Sequence, residues 1–156
     1  MRLTLLTVLS LSLCQLFAQT FSARVIRIGD GDTITVLDGS TQVRIRLAEI
    51  DCPELNQPWG RRAKQLTAEL VFGQVVTVRG QGQDRYGRLI AHVQTEAGTD
   101  LNTELVRAGL AWHYRLYSRS ISLSRLEDEA RRAQLGLWAD PAPTPPWDWR
   151  PSHPER

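Results

Sequence analysis

Residues 33–47 constrain the fold more than any other stretch of the chain. Thr33-Ile34-Thr35-Val36 is β-branched throughout and alternates with period two, the pattern of a strand with one buried face. Asp38-Gly39 follows as a hairpin signal. Gln42 to Leu47 then alternates again, with Val43, Ile45 and Leu47 on one face and Arg44 and Arg46 on the other. A helix cannot satisfy that period, so an antiparallel strand pair is built into the first half of the chain.

The rest of the pattern is read around this pair. Val25, Ile26 and Ile28 begin a preceding strand, and Gly29-Asp30-Gly31-Asp32 is a turn cluster. Residues 57–73 predict a helix: Pro58 suits its first turn, Ala63, Leu66, Leu70 and Val71 have helical spacing, and Gly73 can end it. Gln74 to Arg79 and Leu89 to Thr95 read as strands, with a polar loop from Gly80 to Gly87 between them. Asp100 is an N-cap candidate for a helix to Ala108, with Gly109 past its end. Leu110 to Tyr114 reads as a short strand, and Leu123 to Leu135 as a charged amphipathic helix ending at Gly136. Short strands, a helix inserted after the third and a helical C-terminus predict an α+β, mainly β, domain: a five-stranded OB-fold barrel with about three packed helices. That architecture hosts many activities, so function has to come from the site.

Composition sets the outer limits. The 156 residues make one ordinary domain, and 42% apolar with 23% charged residues excludes wholesale disorder. A net charge of +2 excludes a histone-like protein. Lys64 is the only lysine, so the other 18 cations are arginine, the side chain that grips phosphate or carboxylate through a planar fork. Two cysteines exclude a disulfide framework or a four-cysteine zinc site.

Both ends of the chain read differently from its middle. Arg2, the apolar stretch Leu3 to Leu13 and Leu16-Phe17-Ala18 before Gln19 have the layout of a secretory signal peptide over residues 1–18. The apolar run is shorter than the roughly 20 residues that span a bilayer. Its removal also takes Cys14, leaving Cys52 as a lone thiol. Residues 20–139 are then the folded domain. Residues 140–156 form a tail that holds six of the eight prolines and is expected to be extended, with Trp147 and Trp149 suggesting that it docks.

Two carboxylate clusters stand out. Asp30 and Asp32 sit in the glycine turn, and Asp51 and Glu54 lie in Asp51-Cys52-Pro53-Glu54 directly after a strand. Hard cations such as calcium take several oxygen ligands, and a turn and a strand end can converge on one ion. The same aspartates also serve a turn with no ion at all. An EF-hand is excluded, because Thr35 and Thr41 stand where its glycine and final acid belong. Arg44, Arg46 and Arg88 each fit an ordinary solvated face. His92, His113 and His153 form no metal-spaced pair, which argues against zinc.

In combination these pieces say more. Asp30-Gly31-Asp32-Thr33, then Arg46, then Asp51-Cys52-Pro53-Glu54, then Asp84-Arg85-Tyr86-Gly87-Arg88 resembles the staphylococcal-nuclease-like (thermonuclease) family. Leu105 to Ala111 and Gly136-Leu137-Trp138 resemble its later landmarks, so the likeness covers roughly residues 23–139. The resemblance implies a calcium-dependent phosphodiester hydrolase, an endo- and exonuclease cutting DNA and RNA, single strands preferred, to 3′-phosphate ends. It implies that Asp32 and Asp51 hold Ca²⁺ by side chain and Cys52 by its backbone carbonyl. Glu54 would act as general base or position the attacking water, and Arg46 and Arg88 would clamp the phosphate. Tyr86 and Tyr117 match or lie near positions lining the substrate pocket. The expected protein is a monomer, exported to a periplasm or the medium, with no membrane contact once the signal is removed.

The chain departs from the family pattern at three positions. Cys52 stands where better-known members have threonine, a change that a carbonyl ligand tolerates. Arg115 stands where an aromatic pocket wall is expected, with Tyr114 one residue before. Glu49 is an added acid that either tunes calcium affinity or faces water. Two other readings of the chain are a non-catalytic OB module binding nucleic acid or a protein partner, and a structural secreted protein whose tail docks a partner.

Overall fold

The computed structural model of the chain describes residues 19–152; the signal-peptide reading of residues 1–18 lies outside them. β1 (Thr20–Ile28) turns through Gly29–Asp32 into β2 (Thr33–Asp38), which pairs antiparallel with β1 and with β3 (Thr41–Leu47). After a two-residue strand, β4 (Ile50–Asp51), comes α1 (Gly60–Val71). β5 (Val75–Gln83) pairs with both β1 and β6 (Leu89–Thr95), and β6 runs parallel to β3. These pairings close a barrel in the order β1-β2-β3-β6-β5. α2 (Leu101–Arg107), β7 (Trp112–His113), α3 (Ile121–Arg132), a 3-10 turn (Gly136–Ala139) and α4 (Pro146–Ser152) complete the chain.

The alternation of β2 and β3 does what period two requires. Ile34, Val36, Ile45 and Leu47 point into the barrel with at most 1% exposure, packed against Val25, Val76, Val78, Ala91 and Val93 and roofed by Leu101 and Leu105 of α2. A one-residue slip between the strands would turn such a set into water. At about 1.5–3 kcal/mol per large apolar side chain, four of them are worth on the order of 6–12 kcal/mol, comparable with a whole domain's stability. The register is therefore fixed. It sets Thr33 opposite Arg46 and so brings Asp32, at the start of β2, beside Arg46 on β3.

The cap read at Asp100 forms, whereas α3 spans Ile121–Arg132 rather than the expected Leu123–Leu135 and starts at a cap not read from the sequence. Asp100 accepts a hydrogen bond from the Thr103 N–H at 2.8 Å, and Ser120 accepts one from Leu123 at the start of α3. α2 is also pinned through its side. Buried Asn102 accepts from the Val93 N–H and donates to Ala48 O, holding α2 against the strand ends that carry the site.

Four other expectations are corrected. α1 begins at Gly60, because Gln57–Trp59 form a turn with Trp59 in the left-handed region. The segment Gly80–Gln83 is strand, not loop: it pairs with Leu89, Ile90 and Ala91 around a bulge, and the missing Cβ of Gly80 leaves room for the Leu89 side chain. The span Leu110–Tyr114 supplies no barrel strand. Only Trp112–His113 is strand, and it pairs with β4 outside the barrel. The tail is not extended throughout, since Pro146 opens the short helix α4, where a fixed φ and a missing N–H cost nothing at the first position. Trp147 packs into a second apolar cluster with Trp112, Ala130, Leu137 and Trp138, so the tail does dock. No helix among the described residues is long and apolar enough to cross a membrane.

Candidate active site

The turn between β1 and β2 aims an acid at the mouth of the barrel. Asp30 Oδ1 accepts the Asp32 N–H at 3.0 Å, which shapes the turn. The turn is pressed against α1: a Cβ on Gly31 would lie 2.7 Å from Ala63 Cβ and 2.8 Å from Cys52 Cβ, closer than any such contact allows. Thr67 Oγ1 of α1 donates to Gly31 O at 2.6 Å and locks the approach. Asp32 is thereby fixed over the end of β4, where the Cys52 N–H donates to its Oδ2 at 2.6 Å.

Arg46 joins the two acidic segments. Its Nη2 lies 2.7 Å from Asp51 Oδ1 and 3.2 Å from Asp32 Oδ2. Its Nη1 donates to Leu47 O and Ile50 O. Glu54 follows in the next turn, held by a reciprocal pair of hydrogen bonds. The Glu54 N–H donates to Gln57 Oε1 at 3.1 Å, and the Gln57 N–H donates to Glu54 O at 2.9 Å. Gly60 is required beneath it, because a Cβ there would fall 1.8 Å from Glu54 O. Asp32, Arg46, Asp51 and Cys52 are thus in direct contact, and Glu54 is tied to Asp51 through the guanidinium of Arg150.

The cluster is dry enough to shift Asp32 and the Cys52 thiol. Burial pushes Asp32 up to about 8 against the pull of Arg46, with Asp30 and Asp51 adding repulsion. Burial, then the Asp32 charge, keeps the Cys52 thiol well above its usual range and protonated. Asp51 is fully buried, and its Oδ2 has no hydrogen-bond partner.

Arg88 and Tyr86 lie outside this cluster, on the turn between β5 and β6. Arg88 is held from its own side by Asp84, whose Oδ2 accepts from Nε at 2.7 Å and whose Oδ1 accepts the Arg88 N–H. Burial opposes the Asp84 charge, but the Arg88 and Tyr86 hydrogen bonds outweigh it and leave its pKa lowered. Register places Arg46 opposite Ile90. Arg88 is two residues before Ile90, so it falls on the same outer face as Arg46. Tyr86 is exposed and lies under the Arg88 guanidinium at 5.5 Å. Tyr117 is also exposed and touches Tyr114 edge-on at 4.9 Å.

Comparison with known proteins decides what this cluster belongs to. The sequence model described as "Staphylococcal nuclease homologue" matches residues 44–140. An "Uncharacterized endonuclease" of Escherichia coli O157:H7 is 46% identical over 127 residues, covering 81% of this chain and 83% of that protein. The chain belongs to the staphylococcal nuclease family. A "Micrococcal nuclease" of Shigella flexneri is 44% identical over 140 residues, covering 83% of this chain and 80% of that one. A "Staphylococcal-like nuclease CAN1" of Arabidopsis thaliana is 38% identical over 107 residues, which are 69% of this chain and 33% of the larger protein. The protein is therefore a nuclease, a phosphodiester hydrolase acting on nucleic acid, and the reading as a non-catalytic barrel falls away.

The nuclease's acid cluster fits a hard cation. No three His, Cys, Asp or Glu side chains among the described residues form a ready-made cage, so any ion must draw on backbone oxygen as well. Two buried carboxylates and a strand-end carbonyl are such a set, and the unpartnered Asp51 Oδ2 is a buried acceptor waiting for a positive group. The protonated Cys52 thiol is not a thiolate donor, so only the carbonyl of that residue suits the ion.

Three features of this nuclease escape sequence reasoning. Glu49 is half-buried and bonds on the side away from Asp32 and Asp51. It sits at φ 66°, pairs with His92 Nε2 at 3.1 Å and accepts from Ser118 Oγ at 2.8 Å. Arg115 bonds Glu127 and Ser124, and Tyr114 stacks on Trp147 at 5.1 Å. These rings line an open cleft of about 410 Å³ with Trp112, Leu116, Arg115 and Arg131. The third is Arg150, whose guanidinium reaches Asp51 and Glu54 from the tail. Two tryptophans in a proline-rich segment were the available signal for docking, but nothing local marked the arginine beside them.

Proposed function

We propose that the protein is an exported, calcium-dependent nuclease that hydrolyses DNA and RNA to 3′-phosphate ends, single strands preferred, and works as a monomer. Residues 20–139 form its catalytic body. Export is supported by the layout of residues 1–18. The observation that carries the calcium reading is Asp51 Oδ2, a buried carboxylate oxygen without a partner, beside a second buried aspartate.

Asp32 and Asp51 hold the ion by their carboxylates and Cys52 by its carbonyl. Calcium supplies Lewis-acid stabilisation of charge on the phosphoryl oxygens. Glu54 takes the proton of the attacking water, a role worth on the order of 10²–10⁴ in rate. The water oxygen bonds to phosphorus, the P–O5′ bond breaks, the leaving 5′-oxygen takes a proton from bulk water, and the products are a 3′-phosphate and a 5′-hydroxyl. Arg46 and Arg88 bind the non-bridging oxygens. Asp84 holds Arg88 through Nε and leaves both its terminal nitrogens for phosphate. Tyr86 and Tyr117 flank the substrate. A near-neutral chain gathers nucleic acid through these local arginines, so binding weakens with salt.

The test is product analysis. Single-stranded DNA and RNA oligonucleotides, incubated with the protein and calcium, are expected to yield 3′-phosphate fragments, and excess chelator to abolish them. Fragments ending in 3′-hydroxyl, or cleavage indifferent to chelator, would contradict the reading.

A further inference from the structure

The C-terminal segment brings another guanidinium to the acids, from beyond residues 44–140, which the family model matches. The segment is docked at three points. Gln57 Nε2 donates to Thr144 O at 2.6 Å. Trp149 Nε1 donates to Asn56 Oδ1 at 3.1 Å. Trp147 lies parallel to Tyr114, with 4° between the ring planes. Two of these contacts are made by the Asn56–Gln57 turn, the same turn whose Gln57 side chain caps the Glu54 N–H.

Arg150 extends from this platform. Its Nη2 donates to Asp51 Oδ1 at 2.6 Å, and its Nε donates to Glu54 Oε1 at 2.5 Å. The choice of atoms matters. Arg46 uses the same Asp51 oxygen, so Oδ2 stays bare. Arg150 is the only hydrogen-bond partner of the Glu54 carboxylate among the described residues, and Oε2 is left without one. Arg150 thus takes one oxygen from each acid and leaves the other. Burial works against the Arg150 charge, but Asp51 and Glu54 outweigh it and raise its pKa, so it is always charged.

We propose that Arg150 is a positioning residue of the active site: it ties the Glu54 carboxylate to Asp51 and fixes the base relative to the metal-binding acid. This inference rests on the nuclease reading of those acids. A glutamate has three side-chain torsions, and without Arg150 nothing holds its carboxylate in one rotamer. The loss then falls on the rate of the chemical step more than on substrate binding. Partners of this kind, removed, cost on the order of 10–100-fold in activity. Lysine cannot replace arginine, because one ammonium lacks the fork that spans both acids.

The experiment measures kcat and KM for single-stranded DNA cleavage with calcium, using the full chain and the variants Arg150→Ala, Arg150→Lys, Glu54→Gln and the Arg150→Ala/Glu54→Gln pair. Arg150→Ala is expected to lower kcat about 10–100-fold with KM nearly unchanged. Arg150→Lys recovers only part of this. In the Glu54→Gln background the Arg150→Ala change is expected to cost nothing further, because Arg150 acts through Glu54. Added guanidinium ion restores part of the kcat of Arg150→Ala and none of the kcat of Glu54→Gln. Thermal unfolding checks each variant, and Arg150→Lys and guanidinium rescue decide the matter if Arg150→Ala is poorly folded. Wild-type rates in Arg150→Ala or Arg150→Lys would overturn the proposal. Faster cleavage by Arg150→Ala would do so too, by making the segment a cover. Equal fold-losses in both backgrounds would reduce Arg150 to an independent structural contact. Failure of the wild-type chain to cleave would overturn the nuclease reading itself, and this proposal with it.

Discussion

Asp51 concentrates the problem that the site has to solve. It is fully buried, shares one oxygen between Arg46 and Arg150, and leaves the other unpartnered. A desolvated acceptor costs about 1–3 kcal/mol when unmade, more when charged, and Asp32 beside it is pushed up to about 8 by the same burial. A divalent cation relieves both at once. Calcium at a hundred times its Kd is expected to add about 2.7 kcal/mol to unfolding, measured in urea melts. Asp51→Asn is expected to abolish that increment while the protein still folds. A calcium-independent wild-type melt, or the full increment in Asp51→Asn, would place the ion elsewhere.

At the scale of elements, the site is a set of strand ends and turns held by helices. β7 shows how local the control is. His113 is buried, its Nε2 meets Ser118 Oγ at 2.8 Å and its Nδ1 meets Ser124 Oγ at 3.1 Å. Burial, then Arg115, pushes its pKa below the model-compound value of 6.5, against Glu127 and Glu49. The folded state therefore binds this proton later than the unfolded chain. Stability from His113 is complete above 6.5 and falls as pH drops through 6.5 toward the lower folded value. Asp32 works the other way, since its raised folded pKa strengthens the fold as pH falls through about 8. The comparison with His113→Gln isolates the histidine. The wild-type advantage in unfolding free energy is expected to shrink between about pH 8 and about pH 5, and a constant difference would contradict it. The same scale explains what the sequence could and could not convey. β2, β3 and the cap at Asp100 depend on neighbours in the chain, so their signals are local. β5 runs on through Gly80–Gln83 only because β6 lies beside it. Trp112–His113 is strand only because β4 is there to pair with it. Such cross-chain pairings leave no periodicity to read.

For the whole molecule, the barrel and the tail make different contributions. The closed barrel sets Asp32 beside Arg46 through strand register, while Asp51 comes from β4, paired with β7 outside the barrel; the motifs that carry these three residues were legible in the sequence. The tail contributes Arg150 through long-range contacts, which proline-rich composition conceals because a six-proline segment reads as extended chain. Arg88 lies between these cases. Its place in the sequence was readable, but the structure ties it to Asp84 rather than to the acids. The central claim is that Glu54 does chemistry within a calcium-loaded cluster. The measurement that tests it most directly compares wild type and Glu54→Gln for calcium-dependent cleavage of single-stranded DNA, with calcium affinity determined on both. In Glu54→Gln, kcat is expected to fall at least on the order of 10²-fold while calcium affinity and the melting temperature are retained. Near-normal cleavage by Glu54→Gln, with calcium bound, would contradict it.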